Sequence, residues 1–433
     1  MVVASISGIR GILNQDFVLV DLVGWVRNFA SLTKSGEVLL ARDTRRTGDV
    51  IRRSVVGRLL ASGSDVTDYG VISTPALFRE SLRLGKPAVM ITASHNEPEW
   101  NGIKFIVNGR MIDEGQLSYI FSGDGSGHDP GERMVRPRSH SRYDDDLLDR
   151  FGERSAEGVK VALDLGGGAA IVHAPSILAR LGCEVTSLND TLGVFNRTID
   201  PVSDPLTLLQ KVVNRKECDI GLAFDCDGDR LVILDSEGRK RSGDFMLTLA
   251  LAQILPTLKA KKVVVSVDTT QAVDELVEGF GGKVSRSKVG EANVIQSLAV
   301  VGSTLGGEGS SGGLIDTSFN YCRDSMLAAM TIIKALARKG SRAYDEVKSY
   351  HQTRTALKAP RKKALAGIKR LQKKYPEAET VDGVKIWLSR RSWVLLRPSG
   401  TEDSIRISAE ATSEKESQDI VKSFSKKLQE LSR

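Results

Sequence analysis

Ser94 lies in Thr92-Ala93-Ser94-His95-Asn96, directly after the apolar run Ala88 to Ile91 and ahead of Asn101-Gly102-Ile103-Lys104-Phe105. A hydroxyl at the end of a buried strand, with His95 beside it and Lys104 downstream, suits a nucleophile or phosphate carrier whose charge is neutralised locally. A polar turn is the alternative reading. Asp225-Cys226-Asp227-Gly228-Asp229-Arg230 follows a second apolar run, Ile220 to Phe224. Alternate carboxylates, with Gly228 permitting a tight turn, converge on a hard cation such as Mg²⁺. Three clustered carboxylates without a cation would repel one another. An EF-hand is excluded, because the glycine comes fourth and Ser236 stands where the bidentate Glu belongs. Arg230 supplies a counter-charge for an aspartate or a phosphate.

Two further segments add binding chemistry. In Gly306-Gly307-Glu308-Gly309-Ser310-Ser311-Gly312-Gly313, Glu308 and the hydroxyls can grip vicinal sugar hydroxyls, although a glycine-rich turn explains such a stretch equally simply. Arg397-Pro398-Ser399-Gly400-Thr401-Glu402 follows the run Trp393 to Leu396. Its guanidinium, hydroxyls and loop N–H groups form an anion cradle for a phosphate held without reacting. With the opening Gly8-Ile9-Arg10-Gly11, the chain carries a nucleophile, a metal loop, a sugar clamp and a phosphate anchor. That set describes phosphoryl transfer on a sugar phosphate.

Elements of one kind must position these loops. Val38 to Ala41, Ala88 to Ile91, Val161 to Leu165, Ile220 to Phe224 and Val263 to Val267 are short, branched and apolar, as buried parallel strands are. Helical patterns at Pro205 to Val213, Phe245 to Ile254 and Met326 to Ala337 alternate with them, the signature of α/β units. Ligand sites then gather at the carboxyl ends of the strands. The Gly-, Pro- and charge-rich stretch from Ser122 to Arg138 reads as an exposed connection. Further breaks come after Asp235 and between Gln352 and Lys363, so domains are expected over 1–140, 155–240, 241–352 and 353–433. The last ends in a helix from Thr412 to Leu431, opened by a Ser413–Glu416 capping box with Ile420, Phe424, Leu428 and Leu431 on one face.

Bulk properties restrict the function. A chain of 433 residues with 41% apolar and 27% charged residues is an ordinary multidomain globular protein. The net charge of +7 is concentrated in the last 80 residues, which carry about +9. No aromatic residues interleave Lys362, Lys363, Lys369, Lys373 and Lys374 to stack bases, so an anionic small molecule and no nucleic acid is expected. Cys183, Cys218, Cys226 and Cys322 lack metal-ligand spacing and read as reduced structural thiols. The N-terminal residues do not form a secretory signal and no run is long enough to span a bilayer. A cytoplasmic protein without a membrane partner is expected.

In their order, these segments closely resemble the α-D-phosphohexomutases, the match running from Ser7 to Glu410 and including Arg42-Asp43-Thr44-Arg45 and Ser73-Thr74-Pro75. The resemblance implies four domains around a central cleft: three related α/β domains with mixed, mainly parallel sheets, and a smaller α+β C-terminal domain. It implies that Ser94 carries the phosphate, that Asp225, Asp227 and Asp229 with the phosphoserine oxygen bind Mg²⁺, and that Glu308 with Ser310 or Ser311 selects sugar hydroxyls. Arg397, Ser399, Gly400 and Thr401 would hold the non-reacting phosphate. Arg10, His95, Lys104 and Arg230 would serve the reacting centre. A hexose 1,6-bisphosphate would be the intermediate and activator, in a monomer or homodimer. Two departures stand out. The sugar loop often reads Gly-Glu-x-Ser-Gly-His, but here it is one residue longer and ends at Gly313, which leaves the general base and the sugar-contacting serine open. Asp403 stands where proline is usual. Among the family's sugars, the glycine-ended loop favours glucosamine phosphate over mannose or glucose phosphate. An aspartyl phosphatase, which would need a hydroxyl residue where Asp229 stands, and a non-catalytic sugar-phosphate sensor are the competing classes.

Overall fold

The computed structural model describes residues 2–34, 36–125, 131–138, 140–358, 361–398 and 404–431. Its contacts divide the chain into two units, one of residues 1–246 with 311–344 and the other of 247–310 with 345–433.

The first unit contains two sheets. In the N-terminal one, Glu37–Arg42 lies parallel to both Asp65–Val71 and Ala88–Ile91, while Trp100–Val107 runs antiparallel to Ala88–Ile91 and to Gly8–Ile12. The runs 38–41 and 88–91 are continuously apolar and buried because helices Leu19–Thr33, Gly48–Ala61 and Thr74–Leu84 accompany the sheet. Val38, Leu40, Val89 and Ile91 accordingly share a core with Phe29, Val55 and Phe105. The expected connection over 122–138 proves to hold a short strand, Val135–Pro137, paired in parallel with Asp65–Val71. Its three residues are exposed, and an edge strand tolerates Arg136 and Pro137 because one side of its ladder needs no partner. Asp65 fastens it, accepting from the Met134 N–H and pairing with Arg136. The second sheet places Lys160–Asp164 between Glu184–Leu188 and Ile220–Phe224, both parallel to it, and Leu231–Leu234 closes it antiparallel. Helix Ser325–Lys339 also belongs to this unit.

In the second unit Lys262–Ser266 is flanked in parallel by Lys283–Ser287 and Leu305–Glu308. Its C-terminal part is an antiparallel sheet of order His351–Lys358, Ser404–Ala411, Ser392–Pro398, Val384–Ser389, covered by helices Arg361–Lys374 and Glu414–Leu431. Phe424 and Leu428 fill its core, with Ile420 packed against them. The Glu416 N–H donates to Ser413 Oγ as a capping box requires, but the Glu416 carboxylate takes the Thr412 hydroxyl. All four cysteines are buried and free. No described helix is long and apolar enough to cross a membrane.

Lys385 in this unit has a measurable consequence. It is fully buried, donates from Nζ to the Val267 carbonyl at 2.9 Å, and lies over the Trp393 and Trp387 rings. Burial, with the Arg286 charge adding to it, lowers its ammonium to about 7. Between that value and the ordinary lysine range the unfolded chain holds a proton that the folded chain does not, so this group makes stability rise with pH across that window. Lys385→Met should therefore raise the thermal midpoint, and by more at about pH 6 than at about pH 9, in paired melting curves.

Candidate active site

The serine loop begins where Ala88–Ile91 ends. The Ser94 N–H donates to Thr92 Oγ1 at 2.8 Å, and the residue adopts φ 53° with no exposed surface. A left-handed serine costs on the order of 1 kcal/mol or more and persists only where its surroundings fix it. Arg45 supplies that restraint. Its guanidinium donates to the carbonyls of Ser94, Asn96, Glu97 and Trp100, and Asp43 pairs with it. Gly102 is required on the adjoining strand, since a Cβ there would lie 2.5 Å from the Thr92 carbonyl oxygen and 2.8 Å from that of Ile9. Arg10 sits opposite Gly102 in the ladder and reaches Asn96 Oδ1 at 2.9 Å.

The acidic loop begins where Ile220–Phe224 ends and turns at Gly228, φ 67°. Asp225, Asp227 and Asp229 are buried, and one oxygen from each lies within 4.8 Å of the others. Each carboxylate is held on one side. Asp225 Oδ1 accepts the N–H groups of Asp229 and Arg230. Asp227 Oδ2 accepts from Thr74 Oγ1 at 2.6 Å and Lys104 Nζ at 2.8 Å. Asp229 Oδ2 accepts from Arg323 Nη2 at 2.8 Å, with Lys104 Nζ at 3.5 Å. The remaining Oδ1 atoms of Asp227 and Asp229 are buried without a hydrogen-bond partner. Buried, unmatched carboxylate oxygens beside a third carboxylate are what a hard divalent cation satisfies.

The two loops meet. Ser94 Oγ is 3.1 Å from Asp225 Oδ2 and 3.4 Å from His95 Nδ1, and His95 Nε2 lies 3.4 Å from Arg230 Nη2. Arg230 is steered by Asp200 at 3.3 Å. Burial first, then Arg230, Arg10 and Arg323, lower His95 to about 2, so its ring stays neutral. Burial, reinforced by Asp229 and Asp227, holds Asp225 well above the usual carboxylate range. For Asp229, burial pushes upward but Arg323, Lys104 and Arg230 overcome it and hold the group low.

Ser94, His95, Arg10, Lys104, Arg230 and the three aspartates thus form one cluster within the first unit. In the second unit Glu308 is buried and its Oε1 accepts the Gly290 N–H at 2.7 Å, at the start of helix Glu291–Val301. Ser310 and Ser311 fall in the single turn Gly309–Ser311. Arg397, on strand Ser392–Pro398, pairs with Asp382 at 3.3 Å. Ser399, Gly400, Thr401 and Asp403 lie outside the described residues. Sequence reasoning missed Arg323 altogether, and gave Arg45 and Thr74 no role although both stand in segments that carry the family resemblance.

Comparison with known proteins identifies the family. Models of the phosphoglucomutase/phosphomannomutase family match in sequence order: alpha/beta/alpha domain I over 4–122, domain II over 141–238, domain III over 242–353 and the C-terminal domain over 355–427. A probable phosphoglucosamine mutase of Methanopyrus kandleri is 34% identical over 96% of each chain. A phosphoglucosamine mutase of Methanococcus maripaludis is 32% identical over 94% of each. The crystal structure of a phosphoglucomutase/phosphomannomutase family protein from Burkholderia thailandensis superposes with a TM-score of 0.86, covering 98% of this chain and 96% of that one at 24% identity. With its serine and acidic loops at strand ends and all four domain models matched, the chain belongs to the phosphoglucomutase/phosphomannomutase family of phosphohexomutases.

Proposed function

We propose that the chain interconverts hexose 6-phosphate and hexose 1-phosphate by way of phosphorylated Ser94 and a bisphosphorylated sugar, with glucosamine phosphate the preferred substrate. The observation that carries this reading is the buried Ser94 hydroxyl, 3.1 Å from one of three converging carboxylates and backed by cations. Asp225, Asp227 and Asp229 would hold Mg²⁺, which when bound neutralises charge on phosphoryl oxygens. Arg10 and Arg230 flank Ser94 and His95 with cationic charge for the transferring group. Lys104 is paired with Asp227 at 2.8 Å and holds that carboxylate in place. His95 is held neutral, and because its Nε2 faces the Arg230 guanidinium, which can only donate, its Nδ1–H is the group presented to the Ser94 hydroxyl. Relatives bearing the phosphoglucosamine mutase name, together with the glycine-ended sugar loop, support the choice of sugar. Comparing kcat/KM for glucosamine, mannose and glucose phosphates on one preparation tests it. A preference for mannose or glucose phosphate would replace the sugar, and binding without turnover of any would make the chain a sensor.

The two loops of the second unit should fail differently. Arg397 would hold the phosphate that does not react, and both phosphates occupy that place in alternate half-reactions. Arg397→Ala should lower kcat/KM by a similar factor for every accepted sugar, about 2 to 4 kcal/mol for a lost charge-assisted contact. Glu308 would face ring hydroxyls, so Glu308→Gln should change the ratio of kcat/KM between sugars. The reverse pattern would show these loops assigned to the wrong ends of the substrate.

A further inference from the structure

The family-like sugar loop ends here in Gly313 where an imidazole is frequent, and the structure gives that glycine a physical reason. Its φ is not positive, so no backbone strain calls for glycine. What calls for it is space. A Cβ on Gly313 would lie 2.3 Å from Cδ and 2.6 Å from Cγ of Arg323. The Arg323 stem crosses the place a side chain would fill and carries its guanidinium to Asp229 Oδ2 at 2.8 Å, with only 9% of the side chain exposed. Lys104, at 3.5 Å from the same oxygen, is too distant to hold it alone. Asp229 Oδ1 remains buried and without a hydrogen-bond partner.

We propose that Arg323, admitted by Gly313, is a positioning residue that keeps Asp229 from offering both oxygens to the cation and thereby selects Mg²⁺ over Ca²⁺. Mg²⁺ demands a near-ideal octahedron of single oxygen donors, whereas Ca²⁺ takes six to eight ligands and accepts carboxylates through both oxygens. An Asp229 whose Oδ2 is occupied by a guanidinium can give one oxygen only. Released, it can turn to give two, which favours the larger ion. This inference rests on the reading of the acidic loop as a divalent cation site.

The test measures binding, not turnover. Isothermal titration gives Kd for Mg²⁺ and for Ca²⁺ on the full-length wild type and on Arg323→Gln, Arg323→Lys, Gly313→Ala and the Arg323→Gln/Gly313→Ala double variant. Loss of a nearby positive charge strengthens both divalent ions alike, so the ratio of the two constants isolates geometry. Partners of this kind are worth roughly 10- to 100-fold in metal affinity, and the ratio should move toward Ca²⁺ on the order of tenfold in Arg323→Gln. Gly313→Ala should reproduce the shift by displacing Arg323, Arg323→Lys should keep most of the wild-type ratio, and the double variant should show no more than Arg323→Gln alone. If the wild type binds neither ion, the cation site itself falls. A wild type that binds Mg²⁺ while all variants keep its ratio leaves the site standing and overturns the role of Arg323. Additive effects of the two single substitutions would overturn the link between Gly313 and Arg323.

Discussion

Ser94→Ala should reduce turnover to background, a loss on the order of 10⁴-fold or more as expected for removal of a covalent carrier. The protein should remain folded, since the deleted hydroxyl contributes one hydrogen bond to Asp225, a matter of about 1 kcal/mol. The backbone at 94 holds φ 53° in either case because Arg45 and Thr92 fix it from outside the side chain. Intact-mass measurement gives the independent check. The wild type should carry one phosphate as purified or after incubation with a hexose 1,6-bisphosphate, and Ser94→Ala none. An active wild type that never bears phosphate under either condition would end the phosphoserine mechanism.

Asp227→Asn should cost several kcal/mol in the transition state, roughly a thousandfold in kcat at saturating Mg²⁺. The substitution removes a charge from the three-carboxylate cluster while retaining an oxygen for the Thr74 hydroxyl, so the loop keeps its course. It also leaves the buried Lys104 ammonium with Asp229 at 3.5 Å as its nearest carboxylate. Lower melting temperature and weaker Mg²⁺ binding should therefore appear together. Full activity of the wild type in excess EDTA would remove the metal from the mechanism.

Much of this was legible in the chain because central strands of a mixed α/β sheet are covered on both faces and must be apolar throughout. Ala88 to Ile91 and Ile220 to Phe224 announce themselves that way, and each gives way at its carboxyl end to a polar loop. Val135–Pro137 escaped because an exposed edge strand is under no such demand, and its Arg and Pro look like linker. Arg323 escaped for a different reason. Its importance lies in a distance to Asp229, far away in sequence, and in the missing side chain of Gly313; neither leaves a local pattern. Glu308 stood out in the sequence as a candidate for binding sugar hydroxyls, but its grip on the Gly290 N–H left no local pattern because it depends on where a helix begins.

Arg45 has a consequence for how the serine loop comes apart. One guanidinium spans four backbone carbonyls over residues 94–100 and is itself anchored by Asp43. Such a loop cannot fray residue by residue, because releasing any one carbonyl leaves the other three still tethered to the same group. It opens as a block when the guanidinium lets go, so amide protons across this stretch share one opening free energy, and that energy belongs to the Arg45 side chain and not to Ser94.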